Sequence, residues 1–174
     1  MALGLAVRDA GLPSCAGIVG WSPLFDLTHS MPSTISDKCE ETDFVSITSF
    51  RHATSQVAGD GERLRDESIY LAHRCNEPTK YKGPHYNAGK FEKSPFQTPT
   101  NITFDLYEEM PHVFQLFDSH ICSVMSVKRT IEFINRVVET NEPLPPSSFN
   151  RINCKGEINP LNENDKEVLQ WKNI

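Results

Sequence analysis

The histidine best placed for proton transfer in this sequence is His112, which follows a segment with a clear strand pattern. In residues 101–107 apolar and polar side chains alternate, which predicts a strand with one buried face. A turn follows, because Pro111 cannot donate a backbone hydrogen bond to a sheet. An imidazole at the end of a strand can take and return a proton at neutral pH. His112 is therefore a candidate general base, although a lone histidine in a loop is more often a surface or packing residue.

Three stretches, in this order along the chain, carry a resemblance to a known family. They are AGIVGWSPLFDLT at residues 16–28, GDGERLRDESIYLA at 59–72 and YEEMPHVFQLF at 107–117. Together they resemble the carboxyl-terminal half of an alpha/beta-hydrolase of the hormone-sensitive-lipase-like group, over roughly residues 2–138. The resemblance implies an α/β fold, the carboxyl-terminal portion of a mainly parallel sheet with flanking helices. It also implies an esterase or lipase-like activity on carboxylic esters.

The resemblance assigns roles to three titratable residues. Residues 64–67, LRDE, match the family context D-P-L-R-D-E and place Glu62 at the position of the catalytic acid, with Asp60 as the competing acid. His112 matches the histidine of a G-M-P-H-x-F context. In such enzymes the histidine takes the proton of a serine nucleophile, and the carboxylate orients the ring and stabilises the imidazolium. The alternative for Glu62 is a solvated surface carboxylate, and the choice between Glu62 and Asp60 stays open.

The nucleophile that this resemblance requires is missing from the sequence. Neither a G-x-S-x-G motif nor an H-G-G stretch occurs in it. Ser22 lies in G-W-S-P-L, where Pro23 removes the backbone N–H that supplies half of an oxyanion hole, so we predict that Ser22 is a turn residue. The chain has 174 residues, whereas a whole hydrolase of this fold needs roughly 250 to 300. We expect part of a longer ester hydrolase, nearly inactive alone, or a non-catalytic remnant that serves as a binding or interaction module.

Composition excludes several other classes of function. The net charge of −6 and the lack of a basic run give no electrostatic basis for binding nucleic acid or an anionic membrane surface. Five cysteines without a close C-x-x-C pair argue against a disulfide framework and a zinc site, and favour reduced thiols in a cytoplasmic protein. No stretch approaches the ~18 apolar residues of a membrane span. We expect no cofactor and no metal, and the expected partner is a small-molecule ester.

The remaining pattern predicts the elements that position His112 and its acid. We expect one partial hydrolase domain over residues 1–140 and a polar, poorly ordered tail over 141–174. Residues 29–52 show no clear pattern, and residues 76–100 read as a surface loop in which His85 is solvated. The predicted elements are a helix that ends at Gly11, a buried parallel strand at 16–21, a weak strand at 53–58, a helix from Arg65 with Ile69, Ala72 and Cys75 on its apolar side, and a final helix with Val127, Ile131, Ile134 and Val138 as its buried stripe.

Overall fold

A computed structural model describes residues 7, 10–13, 17–22, 31–35, 58–81, 98–139 and 146–170. In them, four strands form one sheet in the order β1 (Ala58–Gly59), β2 (Thr103–Tyr107), β3 (Ser148–Ile152) and β4 (Ile158–Pro160). The first three strands are parallel, and β4 is antiparallel to β3. This small mixed sheet with flanking helices is of the predicted α/β class.

Helices connect the parallel strands. The described part of the chain contains α1 (Pro32–Ile35), α2 (Arg65–Asn76) and α3 (Ile121–Glu139), and two short 3-10 helices, Phe114–Leu116 and Glu167–Gln170. Helix α2 lies between β1 and β2 in the sequence, and α3 between β2 and β3, as parallel neighbours require a crossover connection. None of these helices combines the length and the apolar character that a membrane crossing requires.

Side chains that alternate along β2 contribute to two hydrophobic clusters. Phe104 and Leu106 pack in one cluster with Ile69 and Ala72 of α2. Tyr107 belongs to the second cluster, which also contains Met110, Phe114, Cys122 and Ile152. The predicted strand and the predicted apolar side of α2 are both confirmed, because Ile69, Ala72 and Cys75 are buried. Because β2 is covered on both faces, the turn that follows it has a rigid base.

The final helix forms where it was predicted, but the predicted buried stripe is wrong. Ile131, Ile134 and Val138 are 51%, 42% and 69% exposed. The buried side chains of α3 are instead those of Cys122, Ser123 and Ser126. Because these side chains are small, the helix can approach the second hydrophobic cluster closely. Both serine hydroxyls donate to backbone carbonyls, so neither buried hydroxyl lacks a hydrogen bond. A pattern based on hydrophobicity cannot identify such a face.

Residues 17–21 do not form the predicted strand. Gly17, Ile18 and Val19 are exposed, and the segment lies against α3, where the Trp21 indole N–H donates to the Thr130 hydroxyl over 3.1 Å. A short apolar run by itself does not distinguish a strand from a segment that packs on a helix. Gly11, predicted as a helix stop, has the positive φ of 68° that favours glycine at such a position. Most of the predicted first helix, residues 53–57 of the weak strand and His85 lie outside the described residues.

The segment predicted as a poorly ordered tail contributes two strands to the sheet. Strand β3 pairs with β2 from Thr103↔Ser148 to Tyr107↔Ile152, so β2 is followed by further strands and does not end the sheet. Polar contacts hold β3 in place, including the Asn150 amide, which donates to Asp105 over 2.8 Å. Only Ile152 of β3 is fully buried, which explains why its sequence gives no strand signal.

His73 makes the stability of this packing depend on pH. Its ring is 7% exposed, stacks on Phe149 with centroids 4.0 Å apart, and meets the edge of Tyr81. Burial lowers the pKa of His73 below its ordinary value; Lys166 and Lys80 lower it further, whereas Glu77 opposes the shift. The unfolded chain then binds the proton more readily, so stability is lost as pH falls below the ordinary histidine pKa of about 6.5.

We expect His73→Phe, which keeps the ring stacking without a titrating group, to flatten this dependence. The measurement is the urea midpoint of both proteins between pH 5 and 8. As the pH falls below about 6.5, the urea midpoint of the wild-type protein should decrease relative to the midpoint of the variant. Parallel curves would show that His73 titrates alike in the folded and unfolded chains.

Candidate functional site

The candidate site lies where β1 and β2 end at the same edge of the sheet. The turn after β1 is tied to the end of β2 by two backbone hydrogen bonds, Asp60 N–H to the Tyr107 carbonyl (2.8 Å) and Gly61 N–H to the Met110 carbonyl (3.2 Å). The two turns approach so closely that a Cβ on Gly59 would overlap the carbonyl oxygen of Met110. Parallel neighbours place their carboxyl-terminal turns side by side, which is where α/β proteins commonly build sites.

Each turn presents one side chain to the other. Glu62, from the turn after β1, is fully buried, and the His112 side chain, from the turn after β2, is 15% exposed. The His112 Nδ1 and Glu62 Oε2 atoms are 3.3 Å apart, near the long limit of a hydrogen bond. With the proton on Nδ1, the ring donates to the carboxylate and Nε2 becomes the basic nitrogen. The structure thus brings together two of the three predicted site residues.

The backbone around His112 adopts an uncommon conformation. Glu109 has a φ of 57°, and Val113, a β-branched residue, has a φ of 49°. Such a conformation costs about 1 to 3 kcal/mol and persists only where neighbours enforce it. One such neighbour is Ser22, whose hydroxyl oxygen accepts a hydrogen bond from the Val113 N–H over 3.1 Å. Ser22 lies in a bend, as predicted, but it is fully buried and supports the histidine turn.

Asp60, the competing acid, is engaged by arginines. Its Oδ1 is 2.8 Å from Arg65 Nε, and its Oδ2 accepts from Arg151 Nη2 over 2.6 Å. A carboxylate held by two guanidinium groups is already neutralised by partners other than an imidazole. The geometry therefore favours Glu62 over Asp60 as the partner of His112.

The arginines that hold Asp60 form a larger ionic cluster at this edge of the sheet. Arg151 also donates to Glu108 and Asp165, and Arg65 donates to Asp66 and Asp165, each over 2.7 to 2.8 Å. Burial lowers the pKa of Arg151, but hydrogen bonds to Asp60 and Glu108 outweigh this and raise the pKa above its ordinary value. The pKa of Arg65 is raised in the same way, with burial outweighed by Asp66 and Asp60. Both arginines therefore carry a positive charge at neutral pH.

Arg151, Asp165 and the supporting role of Ser22 were not predicted from the sequence. Arg151 and Asp165 belong to the segment predicted as a tail, and no local pattern distinguishes them from surface charges. The only signal for Ser22 was its place in a stretch that resembles the family. In the described part of the chain no cluster of histidine, cysteine and acidic side chains could hold a metal ion.

Known proteins offer no further assignment. The chain matches no protein-family model, no curated protein and no solved structure. Membership of the hydrolase family therefore stays a prediction from the residues.

Proposed function

We propose that Glu62 and His112 are the acid and the base of a carboxylic ester hydrolase of the Ser-acid-His type. The observation that carries this proposal is the 3.3 Å contact between His112 Nδ1 and the fully buried carboxylate of Glu62. A second support is the chain order, in which the acid follows one strand and the histidine follows the next. The substrate class is a small-molecule ester, as the sequence resemblance implies.

In the proposed mechanism, His112 first accepts a proton from the nucleophile and then donates it to the leaving group. Nε2 takes the proton of a serine hydroxyl as the hydroxyl oxygen bonds to the ester carbonyl carbon, and then gives it to the departing alkoxide. Water then attacks the acyl-serine ester in the same way: His112 takes a proton from the water and gives it to the serine oxygen, and the carboxylic acid is released. Glu62 accepts the Nδ1–H bond throughout and stabilises the imidazolium that forms at each transfer.

The attacking hydroxyl is not supplied by a G-x-S-x-G motif of this sequence. Loss of a triad nucleophile costs on the order of a millionfold in turnover, so we expect the chain alone to be nearly inactive. The same observation favours the second candidate, a non-catalytic module that keeps the hydrolase-like arrangement only for binding. The candidates differ in whether the His112–Glu62 pair has a chemical role.

The acid–base pair is tested by the tautomer of His112. In 15N-labelled protein with a neutral His112 ring, the ring nitrogens should report the Nδ1–H tautomer, because the Glu62 carboxylate can only accept. Glu62→Gln offers the ring a donor as well as an acceptor and should abolish this preference. The measurement is a two-bond 1H–15N correlation spectrum of the ring.

A matched control lies in the same turn as His112. Glu109→Gln is the same substitution at an exposed position three residues away, and it should leave the ring resonances unchanged. If Glu62→Gln also leaves them unchanged, Glu62 does not set the tautomer and the acid–base assignment fails.

A fluorophosphonate probe separates the two candidate functions. This chain should remain unlabelled, and labelling of Ser22 or any other serine would contradict the predicted absence of a nucleophile. A longer product of the same gene that supplies the serine should be labelled, and His112→Ala in that product should abolish labelling. A longer product that contains a G-x-S-x-G motif yet stays unlabelled would favour the binding module.

A further inference from the structure

Arg151 connects the two turns that carry Glu62 and His112. It lies on β3, outside both turns, and its guanidinium contacts the first residue after each of β1 and β2: Nη2 donates to Asp60 over 2.6 Å, and Nε donates to Glu108 over 2.8 Å. Asp60 precedes Glu62 by two residues, and Glu108 precedes His112 by four. We propose that Arg151 is a positioning residue that holds the Glu62–His112 pair at contact distance, an inference that rests on the proposed function.

The shape of the guanidinium makes this bridge rigid. Three nitrogens of Arg151 engage three different carboxylates, since Nη1 also donates to Asp165 over 2.8 Å. The five N–H groups of arginine lie in one plane with fixed directions, so the acceptors are held at fixed separations. Charge-assisted hydrogen bonds of this length are among the stronger ones in proteins. A movement of either turn would therefore break at least one of them.

The surroundings of Arg151 restrict its alternatives. Its side chain is 18% exposed, and the Asp165 side chain, which it shares with Arg65, is 2% exposed. In the register of the sheet Arg151 is opposite Leu106, one residue before β2 ends, so its position along the strand is set by backbone pairing. The backbone of β3 thus fixes the arginine, and the arginine fixes the two turns.

The hydrogen bonds that join the two turns directly do not by themselves fix the distance between Glu62 and His112. The backbone hydrogen bonds from Asp60 and Gly61 fix the start of the β1 turn, whereas the contact between His112 Nδ1 and Glu62 Oε2 is near the long limit of a hydrogen bond. A small opening of the turns would break that contact while the sheet stayed intact. The Glu62–His112 contact is therefore expected to respond to Arg151 before the fold does.

The test compares variants of Arg151 with a matched arginine elsewhere. Arg129 donates to both oxygens of Asp105 over 2.6 and 2.9 Å, from α3 to the middle of β2, and these two bonds involve neither turn. We expect Arg151→Met to remove the single Nδ1–H tautomer of His112 in the 15N spectrum. Arg129→Met should lower the urea midpoint but leave the His112 ring resonances in place.

Two milder variants guard against loss of folding. Glu108→Gln cuts only the charged link to the β2 turn, at a side chain that is 35% exposed, and should shift the His112 resonances in the same direction by a smaller amount. Arg151→Lys keeps the charge but not the planar fork, and should resemble Arg151→Met.

The outcomes separate this inference from the proposed function. If Glu62→Gln alters the tautomer but Glu108→Gln, Arg151→Lys and folded Arg151→Met do not, Arg151 only stabilises the sheet edge and the inference is overturned. If Glu62→Gln itself has no effect, the acid–base pair fails first. A shift in the Arg129→Met spectrum as large as that of Arg151→Met would also overturn the inference, because general loosening would then explain both.

Discussion

Gly59→Ala is expected to destabilise the protein by more than about 3 kcal/mol, at the upper end of single substitutions. The reason is steric: a Cβ at this position would overlap the carbonyl oxygen of Met110, a backbone atom that cannot rotate away. Relief requires the turns after β1 and β2 to separate. Separation would also break the hydrogen bond from Gly61 N–H to Met110 and move Glu62 away from His112. Urea unfolding and the His112 ring resonances measure the two effects.

Gly11→Ala is the control for this prediction. Gly11 has a positive φ of 68°, but among the described residues no atom other than those of its chain neighbours lies within 4 Å of the Cβ that alanine would add. Its substitution should cost only the backbone penalty of about 1 to 2 kcal/mol. If Gly59→Ala unfolds at the same urea concentration as Gly11→Ala, the two turns are not in close backbone contact.

Asp165→Ala is expected to cost about 3 to 5 kcal/mol, because it removes the shared acceptor of two partly buried arginines. Asp165 Oδ1 accepts from Arg65 Nη2 and Arg151 Nη1, each over 2.8 Å, and its Oδ2 accepts from the Asn162 N–H over 3.2 Å. The substitution leaves both guanidinium groups with one fewer anion and frees the turn that precedes Glu167–Gln170. Urea unfolding gives the loss, and Asp165→Asn, which keeps an oxygen acceptor, should cost less.

Glu163→Ala provides the matched control two residues away. Glu163 is 88% exposed and pairs with Lys166 in a surface ion pair, which contributes at most about 1 kcal/mol. Equal midpoints for Glu163→Ala and Asp165→Ala would show that the arginines do not hold the carboxyl-terminal segment. A large difference would show that residues 146–170 are part of the folded domain.

The elements that the sequence predicted correctly are those with a local cause. The alternation in residues 101–107 produces β2, and the charged start and apolar side of residues 65–75 produce α2. Strand β2 ends at Tyr107, the turn with Pro111 follows it, and His112 lies in a turn, as expected. These features depend on periodicity and on backbone chemistry within a few residues, so they can be read without knowledge of the rest of the chain.

The elements that were not predicted from the sequence depend on contacts between distant residues. Strand β3 forms because β2 supplies backbone partners and Asp105 supplies an acceptor for Asn150, and neither is visible in the local sequence. The buried face of α3 is made of small side chains, which hydrophobic patterning assigns to solvent. Residues 17–21 lie on α3 through Trp21, whose indole N–H donates to the hydroxyl of Thr130, a partner 109 residues away.

The sequence by itself determined that an imidazole follows a buried strand, that acidic side chains follow another, and that no recognisable nucleophile motif accompanies them. It did not determine which acid meets the ring, because Glu62 and Asp60 are both carboxylates, two residues apart in one turn. Tertiary structure decided this: Arg65 and Arg151 converge on Asp60 from α2 and β3, and the parallel pairing of β1 with β2 places Glu62 against His112. Local sequence specifies side-chain chemistry and secondary structure, whereas the choice between equivalent charges depends on partners that only the folded chain brings within hydrogen-bonding distance.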